Sequence, residues 1–189
     1  AEAIPLTSLA GREERSAFSP DGDQVAFSWN GPGLDNYDIY VQRLGSITPQ
    51  RITDHPDWES SPAWSPDGGS IAFLRETGDT ESELLVTAMP DGPERLVTTL
   101  IAAARHGLGW SKDGKFIVAP DVAGEASRPV VVLVDAQSGE KRVLVEAPAG
   151  SVEARFPAYS PNGESVAFET IRGPWLGDAF VVAASGGAP

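Results

Sequence analysis

The chain has 189 residues, with 20 glycines, 16 prolines, no cysteine and a formal net charge of -13. Because phosphate surfaces would repel such a chain, we expect neither nucleic acid nor an anionic membrane as a partner. The lack of cysteine excludes disulfides, thiolate metal sites and a cysteine nucleophile. No apolar run approaches the ~20 residues of a membrane helix, so membrane insertion is not expected.

A five-residue motif recurs four times along the chain. It consists of an aromatic residue, then Ser, then either Pro or Lys, then either Asp or Asn, and finally Gly. The copies are Phe18–Gly22, Trp64–Gly68, Trp110–Gly114 and Tyr159–Gly163. Pro, Asp and Gly are typical residues of tight turns, and an apolar run follows each copy. Each motif therefore predicts a β-hairpin.

A third strand is predicted after each hairpin, over residues 38–42, 84–87, 130–134 and 179–182. A fourth follows in three repeats, around Ile52, Leu96 and Val143. Four antiparallel strands per repeat predict an all-β fold, a β-propeller with four four-stranded blades in one domain over residues 1–189. The predicted blades cover approximately residues 10–54, 55–100, 101–147 and 148–189, the last joined by residues 3–9.

The motif at Phe18–Gly22, with its three later copies and the run Asp38-Ile39-Tyr40-Val41, resembles the WD-type repeat of TolB and related β-propellers. The resemblance covers essentially the whole chain. It implies the propeller fold and points to a periplasmic or extracellular location, which the residues alone leave unknown. Because the family includes envelope proteins, propeller gates of prolyl-oligopeptidase-like peptidases, sensor domains and polysaccharide lyases, it leaves the function open.

The N-terminal segment predicts how the array of blades ends. Leu6 precedes Phe18 by the same 12 residues that separate Ile52 from Trp64. Residues 4–9 therefore predict a strand that completes the last blade, since an unpaired blade edge invites aggregation. Closure within one chain would give a four-bladed ring, and closure between two chains would give an eight-bladed homodimer.

Ligand-binding residues are predicted on the propeller face opposite the repeated turns. Loops of variable length lie there, and Trp29, Trp58 and Trp175 fall in them outside the repeated motif. Tryptophan and arginine are frequent anchors of interfaces, so these residues, with Arg75 and Arg172, are interpreted as a binding rim. The alternative is that they are packing residues and ordinary surface.

A second group is predicted at the mouth of the central channel. Glu14, Ser60, His106 and Arg155 each stand four residues before the repeated aromatic residue. Residues at one repeat offset lie on one layer of the ring, so the four side chains are expected to surround a single opening.

Catalytic motifs are sparse in the sequence. No Gly-x-Ser-x-Gly segment occurs, and His55 and His106 are the only histidines. Acidic groups at 35–38 and 79–83 leave calcium open but do not match a calcium-binding helical loop, so no metal or cofactor is predicted.

We therefore expect a non-enzymatic propeller that binds a protein or peptide partner through its variable loops, as a scaffold or interaction module. The alternative is the propeller gate, or another fragment, of a prolyl-oligopeptidase-like hydrolase or other propeller enzyme.

Overall fold

A computed structural model of the chain describes residues 5–101, 106–124, 127–173 and 176–186. Its strands form four antiparallel sheets, each built from consecutive strands. Blade 1 contains β1 (Glu13–Phe18), β2 (Gln24–Trp29), β3 (Asp38–Arg43) and β4 (Gln50–Arg51). Blade 2 contains β5 (Glu59–Trp64), β6 (Ser70–Glu76), β7 (Ser82–Ala88) and β8 (Glu94–Leu100). Blade 3 contains β9 (Gly109–Trp110), β10 (Phe116–Ala123), β11 (Arg128–Asp135) and β12 (Lys141–Glu146). Blade 4 contains β13 (Glu153–Tyr159), β14 (Ser165–Gly173) and β15 (Leu176–Ala183).

The blades pack face to face around a common axis, so the predicted all-β propeller is confirmed. The first strands of blades 1, 2 and 3 each contact the first strand of the next blade, as β1 does with β5. Apolar residues are buried on both faces of β2, β6 and β10. Neighbouring sheets cover both faces of β6 and β10, whereas β2 is covered by a sheet on one face and by the N-terminal segment on the other. On β14 buried and exposed residues alternate, because only one face of this strand is covered.

The repeated turns hold each first hairpin through the same hydrogen bonds. In blade 2 the Ser65 hydroxyl donates to Asp67 Oδ1 at 2.6 Å, and Asp67 Oδ1 also accepts the Gly69 N–H at 3.0 Å. The Ser70 N–H donates to Ser65 Oγ at 2.9 Å. The hydrogen bonds that Asp67 accepts, chiefly from the Ser65 hydroxyl and then from the Gly69 N–H, hold its pKa below the ordinary value. The turn is thus stabilised by its own side chains, which accounts for its residue types without a ligand.

The N-terminal segment differs from the prediction. Residues 5–9 form no strand, and they lie on blade 1 rather than beside β15. Leu6 and Leu9 pack on the face of blade 1 that points away from blade 2, and the Gln42 side-chain amide donates to the Leu6 carbonyl at 2.8 Å. Blade 4 consequently has three strands among the described residues. Burial of two leucines on a ready apolar face fixes the segment there.

Within the described residues, no helix is long and apolar enough to span a membrane.

Candidate functional site

Each blade departs from regular geometry at one equivalent position, in its first strand or, in blade 3, just before it. The residue three before the repeated aromatic has a positive φ in all four blades: Arg15 at 54°, Ser61 at 58°, Gly107 at 80° and Phe156 at 50°. In β1, β5 and β13 this residue falls at a register shift. A bulge re-aims the strand locally and is common beside functional sites. We call these four residues the axial cluster.

The axial cluster joins all four blades. The Arg15 guanidinium carbon lies 4.7 Å from the ring centroid of Phe156, which links blade 1 to blade 4 by a cation–π contact. The Gly107 N–H donates to Ser61 Oγ at 3.3 Å. The Phe156 N–H donates to the His106 carbonyl at 2.6 Å. The bulges therefore converge at the mouth of the channel, on the side of the variable loops.

The residues predicted at the mouth lie immediately before the axial cluster, and the structure brings two of them together. His106 Nε2 lies 3.6 Å from Glu153 Oε2, and the same carboxylate forms an ion pair with Arg155. Glu14 instead pairs with Arg12 at 2.7 Å, and Ser60 is buried in β5. Binding at these positions remains a prediction.

A cleft of about 380 Å³ opens beside His106, between the loops of blades 2, 3 and 4. Its polar lining includes Asp79, Asp121 and Glu153. The Asp121 carboxylate is buried and already accepts the Ile101 N–H at 2.7 Å and the Lys141 ammonium at 2.8 Å. Apolar side chains complete the lining, so the cleft offers hydrogen-bonding groups beside an apolar wall, as small-molecule and peptide sites do.

The predicted rim is placed differently for each tryptophan. Trp29 does not line the rim: it is 6% exposed, its ring packs edge-on against Tyr40 at 4.8 Å, and its indole N–H donates to the Ala10 carbonyl at 2.8 Å. Trp58 is half-buried and stacks on Tyr37 at 4.5 Å. Trp175 lies outside the described residues. Trp29 is buried because the N-terminal segment covers blade 1, which sequence periodicity does not reveal.

Arg75 is also not a free rim residue. Its side chain is buried, and it donates to Glu59 Oε1 through Nε at 2.8 Å and through Nη2 at 2.5 Å. The same guanidinium pairs with Glu94 and lies 3.9 Å from Glu83. Burial raises the pKa of Glu59 to about 7, although the bonds from Thr53 and Arg75 act in the opposite direction. Arg75 therefore neutralises carboxylates within blade 2. Arg172, the other predicted rim arginine, is half-exposed and pairs with Asp178.

No metal centre is present among the described residues, where no group of three or more His, Asp or Glu side chains is arranged to hold an ion. In the first acidic group Asp38 pairs with Arg51 at 2.7 Å, and the Asn36 side-chain amide donates to the His55 carbonyl.

The sequence pattern did not identify Arg15, Phe156 or Glu153 as site residues. Gly107 could have indicated Arg15 and Phe156, because all three stand three residues before the repeated aromatic residue. A glycine at that position indicates a positive φ, which the equivalent residues of the other repeats would share. Glu153 had no repeat partner in the sequence and became visible only through its contacts.

Antiparallel blades around an axis, with bulged inner strands and variable loops at one mouth, define a β-propeller repeat protein. The chain belongs to the TolB β-propeller domain family, which matches residues 2–186. Among solved structures, TolB from Acinetobacter baumannii matches 94% of this chain and 41% of its own, with a TM-score of 0.69 at 23% identity. That likeness supports the fold alone.

Two curated relatives carry enzyme names. The uncharacterized peptidase YuxL of Bacillus subtilis (strain 168) is 29% identical over 166 residues, which are 88% of this chain and 23% of that protein. Dipeptidyl-peptidase 5 of Porphyromonas endodontalis is 32% identical over 108 residues, which are 54% of this chain and 15% of that protein. The chain thus spans less than a quarter of the length of either relative.

These relatives correct one expectation. The sequence lacks a Gly-x-Ser-x-Gly segment, and from this we expected a protein that is not an enzyme. That expectation is wrong, because both curated relatives are named peptidases. A propeller carries few catalytic motifs of its own even where it belongs to a hydrolase, so the missing segment was a poor criterion.

Proposed function

We propose that this chain is the propeller of a peptidase, and that its variable-loop mouth admits and holds the peptide substrate. The observation that carries the proposal is the 29% identity to a named peptidase over 88% of the chain. The proposal keeps the predicted binding role of the variable loops and gives it a substrate class.

The chemistry of the mouth supports a peptide ligand. A peptide backbone presents N–H donors and carbonyl acceptors in alternation, so its site needs both kinds of partner. His106 and Arg155 supply donors beside the Glu153 carboxylate, which accepts. Ile101 and Val152, which line the adjacent cleft, are 48% and 60% exposed and offer apolar contact to substrate side chains.

The axial cluster supports admission through the mouth. Arg15 reaches from blade 1 to the ring of Phe156 in blade 4 through one cation–π contact, a weak interaction when exposed. A passage closed by such a contact opens at small cost. The cluster therefore acts as a constriction beside the site that holds the peptide.

The experiment measures binding of a fluorescently labelled short peptide to the 189-residue chain by anisotropy. Arg155→Ala and His106→Ala are expected to weaken binding about tenfold each, since each removes a charged or polar partner. Arg43→Ala is the matched control, an exposed arginine on the face of the repeated turns, and should leave binding unchanged. Absent binding, or equal losses in all three variants, would refute the mouth as the peptide site.

A further inference from the structure

Blade 3 differs from the other blades along the inner edge of its second strand, the edge that faces the first strand. In blades 1, 2 and 4 the first strand pairs with Ser28, Leu74 and Glu169, each ten residues after the repeated aromatic residue. The equivalent residue of β10 is Pro120, whereas the pairing of β10 with β9 ends at Val118. Among the described residues, no strand therefore pairs with the inner edge of β10 from Pro120 onward.

Alternate residues of β10 point their main-chain groups to this inner edge. Phe116 fixes the alternation, because its carbonyl accepts the Ser111 N–H at 2.8 Å and its N–H donates to Ser111 Oγ at 2.9 Å. The register of β10 with β11 has no shift, so the same alternation continues to the end of the strand. The carbonyls of Pro120 and Val122 consequently point to the part of the edge that β9 does not cover.

This part of the edge presents acceptors rather than donors. Pro120 has no N–H and cannot donate to a neighbouring strand. The Val122 N–H already donates to Oδ1 of Asp121 at 2.9 Å. The two carbonyls stand two residues apart in a strand, which is about 7 Å. Alternate N–H groups of an extended peptide have the same interval, so the edge is complementary to the donors of such a peptide.

The cleft of about 380 Å³ lies along this edge. Pro120 and Val122 line it from blade 3, Val152 and Ala154 line it from blade 4, and Ile101 lines it from blade 2. The cleft thus lies where the first strand continues in the other blades. Ile101 and Val152 are 48% and 60% exposed. Successive side chains of an extended peptide point to opposite sides, so each side of the cleft offers them an apolar residue.

We propose that the peptide substrate binds in this cleft as an extended strand along β10, with alternate N–H groups donating to the carbonyls of Pro120 and Val122. The inference rests on the proposed function, from which it takes the peptide ligand, and it adds the conformation of the peptide and the edge that recognises it. Main-chain recognition makes the site tolerant of peptide sequence, because every residue except proline carries an N–H. Proline at a donating position is excluded.

N-methylation of a peptide tests this alternation, because the methyl group removes one donor and keeps the side chain. The probe is a fluorescently labelled hexapeptide of alternating valine and threonine, and its binding to the 189-residue chain is measured by anisotropy. One derivative carries N-methyl groups on its valines, and the other carries them on its threonines. One of the two derivatives should bind about tenfold more weakly than the unmethylated hexapeptide, and the other within about twofold of it.

The outcomes separate this inference from the proposed function. If the unmethylated hexapeptide does not bind, both are wrong. If it binds and the two derivatives bind equally well or equally poorly, the extended strand is wrong and the proposed function stands. Only a loss confined to one derivative supports the pairing with β10.

Val152→Arg tests where the strand lies. Val152 is exposed, so the variant should fold, and its longer side chain should occupy part of the cleft and weaken binding of the unmethylated hexapeptide about tenfold. Val143→Arg is the matched control, since Val143 is 47% exposed on β12, the outer strand of blade 3, and it should bind as the unmodified chain does. Unchanged binding by Val152→Arg would show that the peptide does not lie beside β10.

Discussion

At the scale of single residues, membership of the repeated motif does not decide whether a tryptophan is buried. Trp64 belongs to the motif and Trp29 does not, yet they are 7% and 6% exposed. Each indole N–H donates to a backbone carbonyl, Ala17 for Trp64 and Ala10 for Trp29. Buried indoles need such a partner, so both residues are parts of the core.

Trp64→Ala is expected to lower the free energy of unfolding by about 3 to 5 kcal/mol, because the removed ring leaves a cavity. Trp29→Ala should fall in the same range, since its ring is equally buried beside Tyr40. Denaturant titration measures both, with the exposed Leu96→Ala expected within about 0.5 kcal/mol of the unmodified chain. A Trp29→Ala loss as small as that of Leu96→Ala would contradict its placement in the core.

Glu59 gives the stability a pH dependence of definite sign. Burial raises the pKa of its carboxyl from an ordinary 4.5 to about 7. Between these values the folded chain binds more protons than the unfolded chain, so this group's stabilisation is complete below pH 4.5 and is lost as pH rises through about 7.

Glu59→Gln should remove that dependence, because an amide does not titrate. Between pH 4.5 and 7 the free energy of unfolding of the unmodified chain is expected to fall by roughly 3 kcal/mol relative to that of the variant. Denaturant titrations of both proteins at intervals from pH 4.5 to 7 measure it. Parallel curves for the two proteins would show that Glu59 is not the titrating group.

At the scale of elements, the equivalent positive-φ position of each blade brings the blades together at the mouth. Gly107 has the positive φ that the other three blades impose on larger residues. A Cβ placed on it would lie 3.2 Å from Cα of Phe156. The third blade therefore uses glycine where the fourth blade approaches most closely.

Gly107→Ala is expected to lower the free energy of unfolding by about 2 to 3 kcal/mol, from the positive φ and from the contact with Phe156. Gly150→Ala separates the two causes, since φ there is 86° and nothing lies within 4 Å of the added Cβ. That variant should cost only about 1 to 2 kcal/mol. Equal losses would mean that close approach contributes nothing.

At the scale of the whole molecule, the two ends of the array are treated differently. The N-terminal segment covers the face of blade 1 that points away from blade 2, whereas on β14 of blade 4 buried and exposed residues alternate. Leu6 and Leu9 supply the cover through partly buried side chains packed on Phe27 and Trp29.

The double variant Leu6→Ala and Leu9→Ala should destabilise the chain by about 2 kcal/mol, because two half-buried leucines lose their contacts. In thermal unfolding this corresponds to a Tm lower by about 4 to 8 °C. Val152→Ala, at an exposed position, should leave the Tm unchanged. If the double variant also kept its Tm, the segment would not stabilise blade 1.

The sequence by itself determined the fold, because each repeat carries its own turn chemistry and strand pattern. Ser65, Asp67 and Gly68 specify one hairpin locally, and a 46-residue spacing to Gly114 repeats it. Local hydrogen bonds depend on neighbours in the chain, so they can be predicted from the sequence.

Only the tertiary structure decided where the chain's side chains meet. Glu153 lies between His106 and Arg155, Trp29 is covered by residues 5–9, and Arg15 reaches Phe156 across the mouth from more than 100 residues away in the chain. Each of these contacts depends on how blades and connecting segments pack. Packing depends on surfaces built from residues far apart in the chain, and that is why residue spacing alone did not predict these contacts.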